Sequence, residues 1–127
     1  MSRIKTAEWI LRIAIAGEFF GHGFLAYNGK ESWAGWIQDV LSVGHGTALE
    51  ILTLIGIMDI IFALIVLVKP VRIVVLWMAI WSTITVFVQV FVGEPIWNFL
   101  GRFANWGAPL ALLMILPRSQ KLLEWFE

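Results

Sequence analysis

The sequence predicts an all-α integral membrane protein, a four-helix bundle with a short amphipathic interfacial helix between its first two spans. Three observations carry that expectation. Of the 127 residues, 60% are hydrophobic and 14% charged, with a mean hydropathy of +0.85, whereas a soluble domain carries about a quarter charged residues. Four stretches approach the roughly 20 apolar residues that a helix needs to cross the hydrocarbon. Lysine and arginine gather in segments that four spans would place on one side of the bilayer.

The first span is read over about 6–27 and is the most interrupted. Basic residues precede it, as in a secretory signal, but Arg12 and Glu18 break the apolar run and no small-residue cleavage site follows. It is therefore expected in the mature protein. The exoplasmic stretch after it contains "ESWAGWIQDVLSVG". There Trp33, Trp36, Ile37, Val40 and Leu41 repeat at i, i+3, i+4, i+7 and i+8, with Glu31, Gln38 and Asp39 off the stripe. That pattern describes an amphipathic helix over about 31–42, either anchored on the membrane surface or closing a cavity as a lid.

The second span, about 47–68, ends before Lys69-Pro70. The third runs over about 71–92 and stops at Gly93-Glu94-Pro95. The fourth, about 96–116, stops at Pro117-Arg118. The tail "SQKLLEWFE" reads as a further surface helix. Arg3, Lys5, Lys69, Arg72, Arg118 and Lys121 flank the terminal side, and only Lys30 occupies the opposite loops. The positive-inside rule then puts both termini in the cytoplasm, with the chain in the inner membrane. Eight tryptophans, several near span ends, fit an interfacial aromatic belt.

Composition also excludes functions. The formal net charge is zero and offers no basic patch for nucleic acid. Without cysteine the chain has no disulfide, no thiolate nucleophile and no cysteine-held zinc or iron–sulfur centre of its own. It lacks a C-x-x-C-H haem attachment and a Gly-rich phosphate loop. No metal site is expected from its two histidines.

Ionisable groups inside membrane spans are costly and so face the protein interior or water. Glu18 and His22, four apart, share a helical face. Gly17 and Gly21 have the small-xxx-small spacing of close helix packing, and Gly56 plays the same part on the second span beside Asp59. Arg12 is placed near the cytoplasmic end, where it snorkels. Glu50 lies about 180° from Asp59. The third span carries a polar stripe of Ser82, Thr85 and Gln89, and the fourth carries Asn98, Arg102 and Asn105 with Trp106 alongside. Asn105 and Gln89 are read as interhelical hydrogen-bonding groups, and His45 as a solvated loop residue. At 1.5 Å of rise per residue, His22 and Arg102 fall roughly 8 to 9 Å from the exoplasmic ends, Thr85 about 10 Å, Glu18 and Asn105 about 13 Å, and Asp59 about 18 Å. The expected site is a buried polar pocket of Glu18, His22, Asp59, Arg102, Asn105, Thr85 and Trp106, approached from the exoplasmic side, with Arg102 neutralising Glu18 or Asp59. A structural ion-pair network and independently snorkelling groups are the alternatives.

The stretch "RIAIAGEFFGHGFLAYNGK", the second span "LEILTLIGIMDIIFALIVLVKP" and "FLGRFANWGAPLALLMI" together resemble the DoxX-like family of small four-helix membrane proteins. The matching positions are Arg12, Gly21, His22, Gly23, Lys30 and Glu50; Glu18 and Asp59 lie outside the resemblance. Members include subunits of quinone-linked oxidoreductases, among them a terminal quinol oxidase and a thiosulfate:quinone oxidoreductase, and others associate with membrane redox-stress assemblies. The resemblance implies an accessory subunit of a quinone-linked redox complex, with no intrinsic cofactor, quinone as the ligand and other membrane subunits or a second copy as partners, rather than an enzyme acting alone. Two other functions stay open on the residues. One is a small proton-coupled transporter using Glu18. The other is an assembly module docking through Trp77 and Trp81.

Overall fold

A computed structural model describes all residues, 1–127. It is helical throughout, without strands: α1 (Arg3–Tyr27), α2 (Glu31–Leu41), α3 (His45–Val68), α4 (Arg72–Phe91), α5 (Ile96–Leu100), α6 (Phe103–Ile115) and a closing 3-10 turn, Leu122–Phe126. Three helices, α1, α3 and α4, are long and apolar enough to cross a membrane. Their outward faces are apolar as well as their cores, with Phe24, Leu54, Leu64 and Phe87 each more than half exposed. A surface of that kind suits a lipid environment, since soluble monomers rarely expose large contiguous apolar patches.

The helix ends follow local chemistry. Ser2 caps α1, its hydroxyl oxygen accepting from the Lys5 amide at 3.1 Å, so α1 starts three residues earlier than the sequence suggested. Gly29, at φ +73°, ends the turn after α1, and Ser42, at φ +54°, ends α2. Pro70 prevents α3 from continuing into α4.

The fourth expected span is broken. Gly101 and Arg102 interrupt it, leaving a five-residue α5 and a thirteen-residue α6. At 1.5 Å per residue α6 is only about 20 Å long, short of the hydrocarbon thickness. Glycine favours such a break, since it loses the most conformational freedom in a helix. Pro109 persists inside α6, buried. Lacking an N–H, it leaves the Asn105 carbonyl without its usual intrahelical donor. The tail differs too: its surface helix is reduced to one 3-10 turn, held by Arg72 donating to the carbonyls of Pro117 and Glu124.

Packing runs α3–α1–α6–α4, while the consecutive helices α3 and α4 touch only sparsely. The main core joins Ile15, Phe19, Val66, Val75, Met78 and Leu112 near the basic ends of the helices. A smaller cluster of Ala26, Ala34, Ala48 and Leu52 ties α2 to α1 and α3 at the other end. Two glycines set the α1–α3 contact. A Cβ on Gly56 would stand 2.5 Å from the Tyr27 amide nitrogen and 2.6 Å from the Gly23 carbonyl oxygen, and one on Gly23 would stand 2.9 Å from the Gly56 carbonyl oxygen. The expected pair Gly17 and Gly21 packs against nothing: both are exposed and have no neighbour within 4 Å. The spacing was suitable but the face was not. The buried stripe of α1 is Glu8, Arg12, Ile15, Ala16, Phe19, Gly23 and Ala26, and Gly17 lies about 100° around from Ala16.

Candidate functional site: a cavity beneath α2

Where α3 and α4 part, a cavity of about 530 Å³ opens between α1, α3 and α4. The break before α6 contributes Arg102 and Asn105 to its wall. Overhead, the apolar stripe of α2 faces inward: Trp33, Trp36, Ile37, Val40 and Leu41 all line it. The helix thus covers the cavity as a lid would, while Val40 and Leu41 keep part of the stripe exposed, as an interfacial anchor requires. His22 meets the edge of Trp33, ring centroids 5.6 Å apart and nearly perpendicular. The Lys30 ammonium sits 4.5 Å from the centre of the Trp33 ring. His45, expected in a loop, begins α3 and ties it to α2 through Gln38 at 3.3 Å and Glu31 at 3.8 Å, while remaining exposed.

The polar residues chosen from sequence largely meet here. Glu18, His22, Asp59, Thr85, Arg102 and Asn105 all line the cavity. Glu18 and His22 approach to 4.0 Å, as their four-residue spacing requires. Trp106 does not line it. It packs on Phe103, at 5.5 Å, ending an aromatic ladder through Phe99 and Phe87 that braces α6 against α4. Asn98 is exposed on α5 and donates to Glu94, because the break at Gly101 rotates it out of line with Arg102. Trp77 and Trp81 stack at 5.9 Å, but only Trp77 faces outward; Trp81 lines the cavity. The expected outward ridge of both rings is absent.

Two hydrogen-bonding expectations also change. Arg102 pairs with no carboxylate within 4.0 Å and donates no side-chain hydrogen bond. Gln89, read as an interhelical donor and acceptor, is buried with Oε1 unpartnered, and Asp59 is buried with Oδ1 unpartnered. Buried polar atoms are nearly always satisfied, so two orphan acceptors and an unpaired guanidinium give this wall hydrogen-bonding capacity that the chain's own side chains do not use. The Thr85 hydroxyl donates to the Ser82 carbonyl at 3.0 Å and keeps its oxygen available to accept.

The basic end holds a cluster that the sequence reading missed. Arg12 is buried, not snorkelling: Nε donates to the Val66 carbonyl at 2.8 Å and an Nη donates to that of Leu67 at 2.5 Å. It lies 3.8 Å over the Trp9 ring and 3.5 Å from Glu8, which also meets Lys5 at 3.1 Å. The carbonyls of the last turn of a helix have no intrahelical donor, and Arg12 supplies one from a neighbouring helix. The i, i+4 spacing of Glu8 and Arg12 was the available signal.

No family model matches the chain, and no curated protein or solved structure matches it.

Proposed function

We propose that the chain is an integral membrane four-helix bundle, with α5 and α6 together as its fourth span and α2 at the exoplasmic interface. Both termini lie on the cytoplasmic side of the inner membrane. Its function is to bind a lipid-soluble, ring-bearing ligand of the quinone class as an accessory subunit of a membrane redox complex. The observation that carries this is the 530 Å³ cavity, in which apolar and aromatic walls surround a few unpartnered polar groups. Ligand pockets commonly enclose about 300–1,000 Å³ and have that division of labour.

A quinone head group presents two carbonyls across a flat ring. The Arg102 guanidinium and the amide groups of Gln89 and Asn105 supply donors, and Trp33, Trp36 and Trp81 supply ring faces. Ile84, Val40 and Leu41 line the cavity and are also exposed, so a ligand dissolved in the bilayer can enter where α3 and α4 diverge. Electrons come from a partner subunit, as the chain has no cysteine to hold a metal centre and only one of its two histidines, His22, lines the cavity.

The test is native mass spectrometry of the protein gently solubilised from its own membranes, followed by quinone titration of tryptophan fluorescence in nanodiscs. A bound quinone-sized mass, co-purifying redox subunits and quenching lost in Arg102→Gln support the reading. A bare chain whose fluorescence ignores quinone overturns it. Glu18 in the same cavity keeps proton-coupled transport as the second reading; it requires substrate flux that Glu18→Gln abolishes. Arg102 in the wall disfavours the cationic substrates such a carboxylate would serve.

A further inference from the structure

A second cavity, of about 390 Å³, lies at the opposite end of the molecule from α2. Three chain segments build it: the start of α1, the α3–α4 connection and the stretch after α6. They contribute Lys5, Lys69 and Arg72. We propose that this is a site for the phosphate of an anionic phospholipid headgroup, distinct from the cavity beneath α2.

The charges around it are incompletely cancelled. Glu8 is divided between Lys5 at 3.1 Å and Arg12 at 3.5 Å. Arg72 is oriented by the backbone carbonyls of Pro117 and Glu124, neutral groups that fix the guanidinium without neutralising it. Lys69 is exposed and has no ion-pair partner. Glu127 is the other acid in the wall. Three cations therefore share the wall with two carboxylates, one of which, Glu8, is also engaged by the buried Arg12, and the surplus favours an anion. Pro70 and Arg72 flank Val71, the N-cap of α4, where no side chain caps the first-turn amides; these add the favourable end of a helix dipole to the same edge.

The wall also decides between a lipid and a free phosphate. Ile4, Ile115 and Leu116 line the cavity beside the cations, and Val68 and Ile4 stand exposed next to it. A headgroup phosphate against Lys69 and Arg72 would leave its acyl chains on that apolar lip. Free phosphate has no use for such a surface. Basic pockets at the ends of membrane helices have the chemistry to hold anionic headgroups.

The experiment is native mass spectrometry of delipidated full-length protein given equal phosphatidylglycerol and phosphatidylcholine. A phosphatidylglycerol adduct should survive collision energies that strip phosphatidylcholine. Lys69→Gln, an exposed change that removes no contact, should weaken that retention several-fold, and Lys5→Gln/Lys69→Gln further, with unchanged helical content. Equal retention of the two lipids, or retention indifferent to Lys69→Gln, overturns the proposal. Displacement of the phosphatidylglycerol adduct by millimolar inorganic phosphate overturns the lipid assignment in favour of a free anion.

Discussion

Gly56→Ala tests the tightest of the glycine-mediated helix contacts. The added methyl would stand 2.5 Å from the Tyr27 amide nitrogen, 2.6 Å from the Gly23 carbonyl oxygen and 2.9 Å from the Tyr27 Cα. Ordinary contact begins at 3.4 Å, so the shortest of these is about 0.9 Å too close. All three atoms are backbone, which no rotamer change can move aside. The helices α1 and α3 must part, along the most extensive interface in the fold. Overpacking of this kind costs about 1–3 kcal/mol, and the rigidity of the obstructing atoms places Gly56→Ala toward the upper end. Gly17→Ala and Gly21→Ala are the controls. Neither methyl would meet any atom within 4 Å, and alanine is the better helix former by roughly 0.5–1 kcal/mol, so both should be neutral or stabilising. Unfolding in mixed micelles by sodium dodecyl sulfate, followed by circular dichroism, reads all three. The parting should also reach the cavity, because Asp59 lies one turn from Gly56 and its Cβ is within 3.1 Å of where a Gly23 methyl would sit. Unfolding of Gly56→Ala at the same detergent fraction as wild type, or destabilisation by Gly17→Ala, would refute the reasoning.

Three further outcomes follow from the same geometry. Arg12→Gln removes the donors to Val66 and Leu67 and leaves Glu8 buried beside the gap; it should cost about 3 kcal/mol in the same unfolding assay, the loss typical of breaking one side of a buried charged network. Asp59→Leu should behave oppositely in the ligand-free protein, stabilising it by about 1–3 kcal/mol because an unsatisfied buried oxygen is removed. Trp33→Ala should loosen the lid without unfolding the bundle. With Thr85→Cys as the single thiol of a cysteine-free chain, a water-soluble maleimide should label it several-fold faster when Trp33 is absent, and unchanged labelling would mean that α2 does not control access.

Much of the site was legible because charge is conspicuous in apolar sequence. Glu18, His22, Asp59 and Arg102 are rare residue types in such segments, and the cost of exposing them to lipid forces them inward. The lid was legible for a related reason. The α2 segment alternates polar and apolar residues, so its stripe of Trp33, Trp36, Ile37, Val40 and Leu41 marks a face. In α1 that signal disappears. Lipid is as apolar as the core, so Phe20 and Phe24, exposed, look in sequence like Ile15 and Phe19, buried. With no contrast to orient the helix, the Gly17 and Gly21 spacing pointed to the wrong face, and Gly23 went unrecognised as the packing residue. The break at Gly101 was hidden likewise, since the segment across it keeps its hydropathy and only the backbone changes. Arg12 escaped for another reason: its spacing from Glu8 was visible, but the α3 carbonyls that hold it inward carry no signature in the side-chain sequence.

The two interior arginines sit in contrasting surroundings. At the basic end Arg12 has every kind of partner available to it: carbonyls of α3, a carboxylate and an aromatic face. That end is also where the main core of α1, α3, α4 and α6 closes. Satisfied buried networks rigidify a structure. Arg102 is placed in the opposite circumstance. Glycine breaks the helix before it, proline removes an intrahelical donor after it, and no carboxylate reaches it, although two share its cavity. Local geometry that could have been regular, and charges that could have been paired, were both left open at one place. Such departures from internal consistency collect at functional sites. An ion-pair network serving only helix register would require Arg102 to touch Glu18 or Asp59. It touches neither, so that alternative lacks the contact on which it depends.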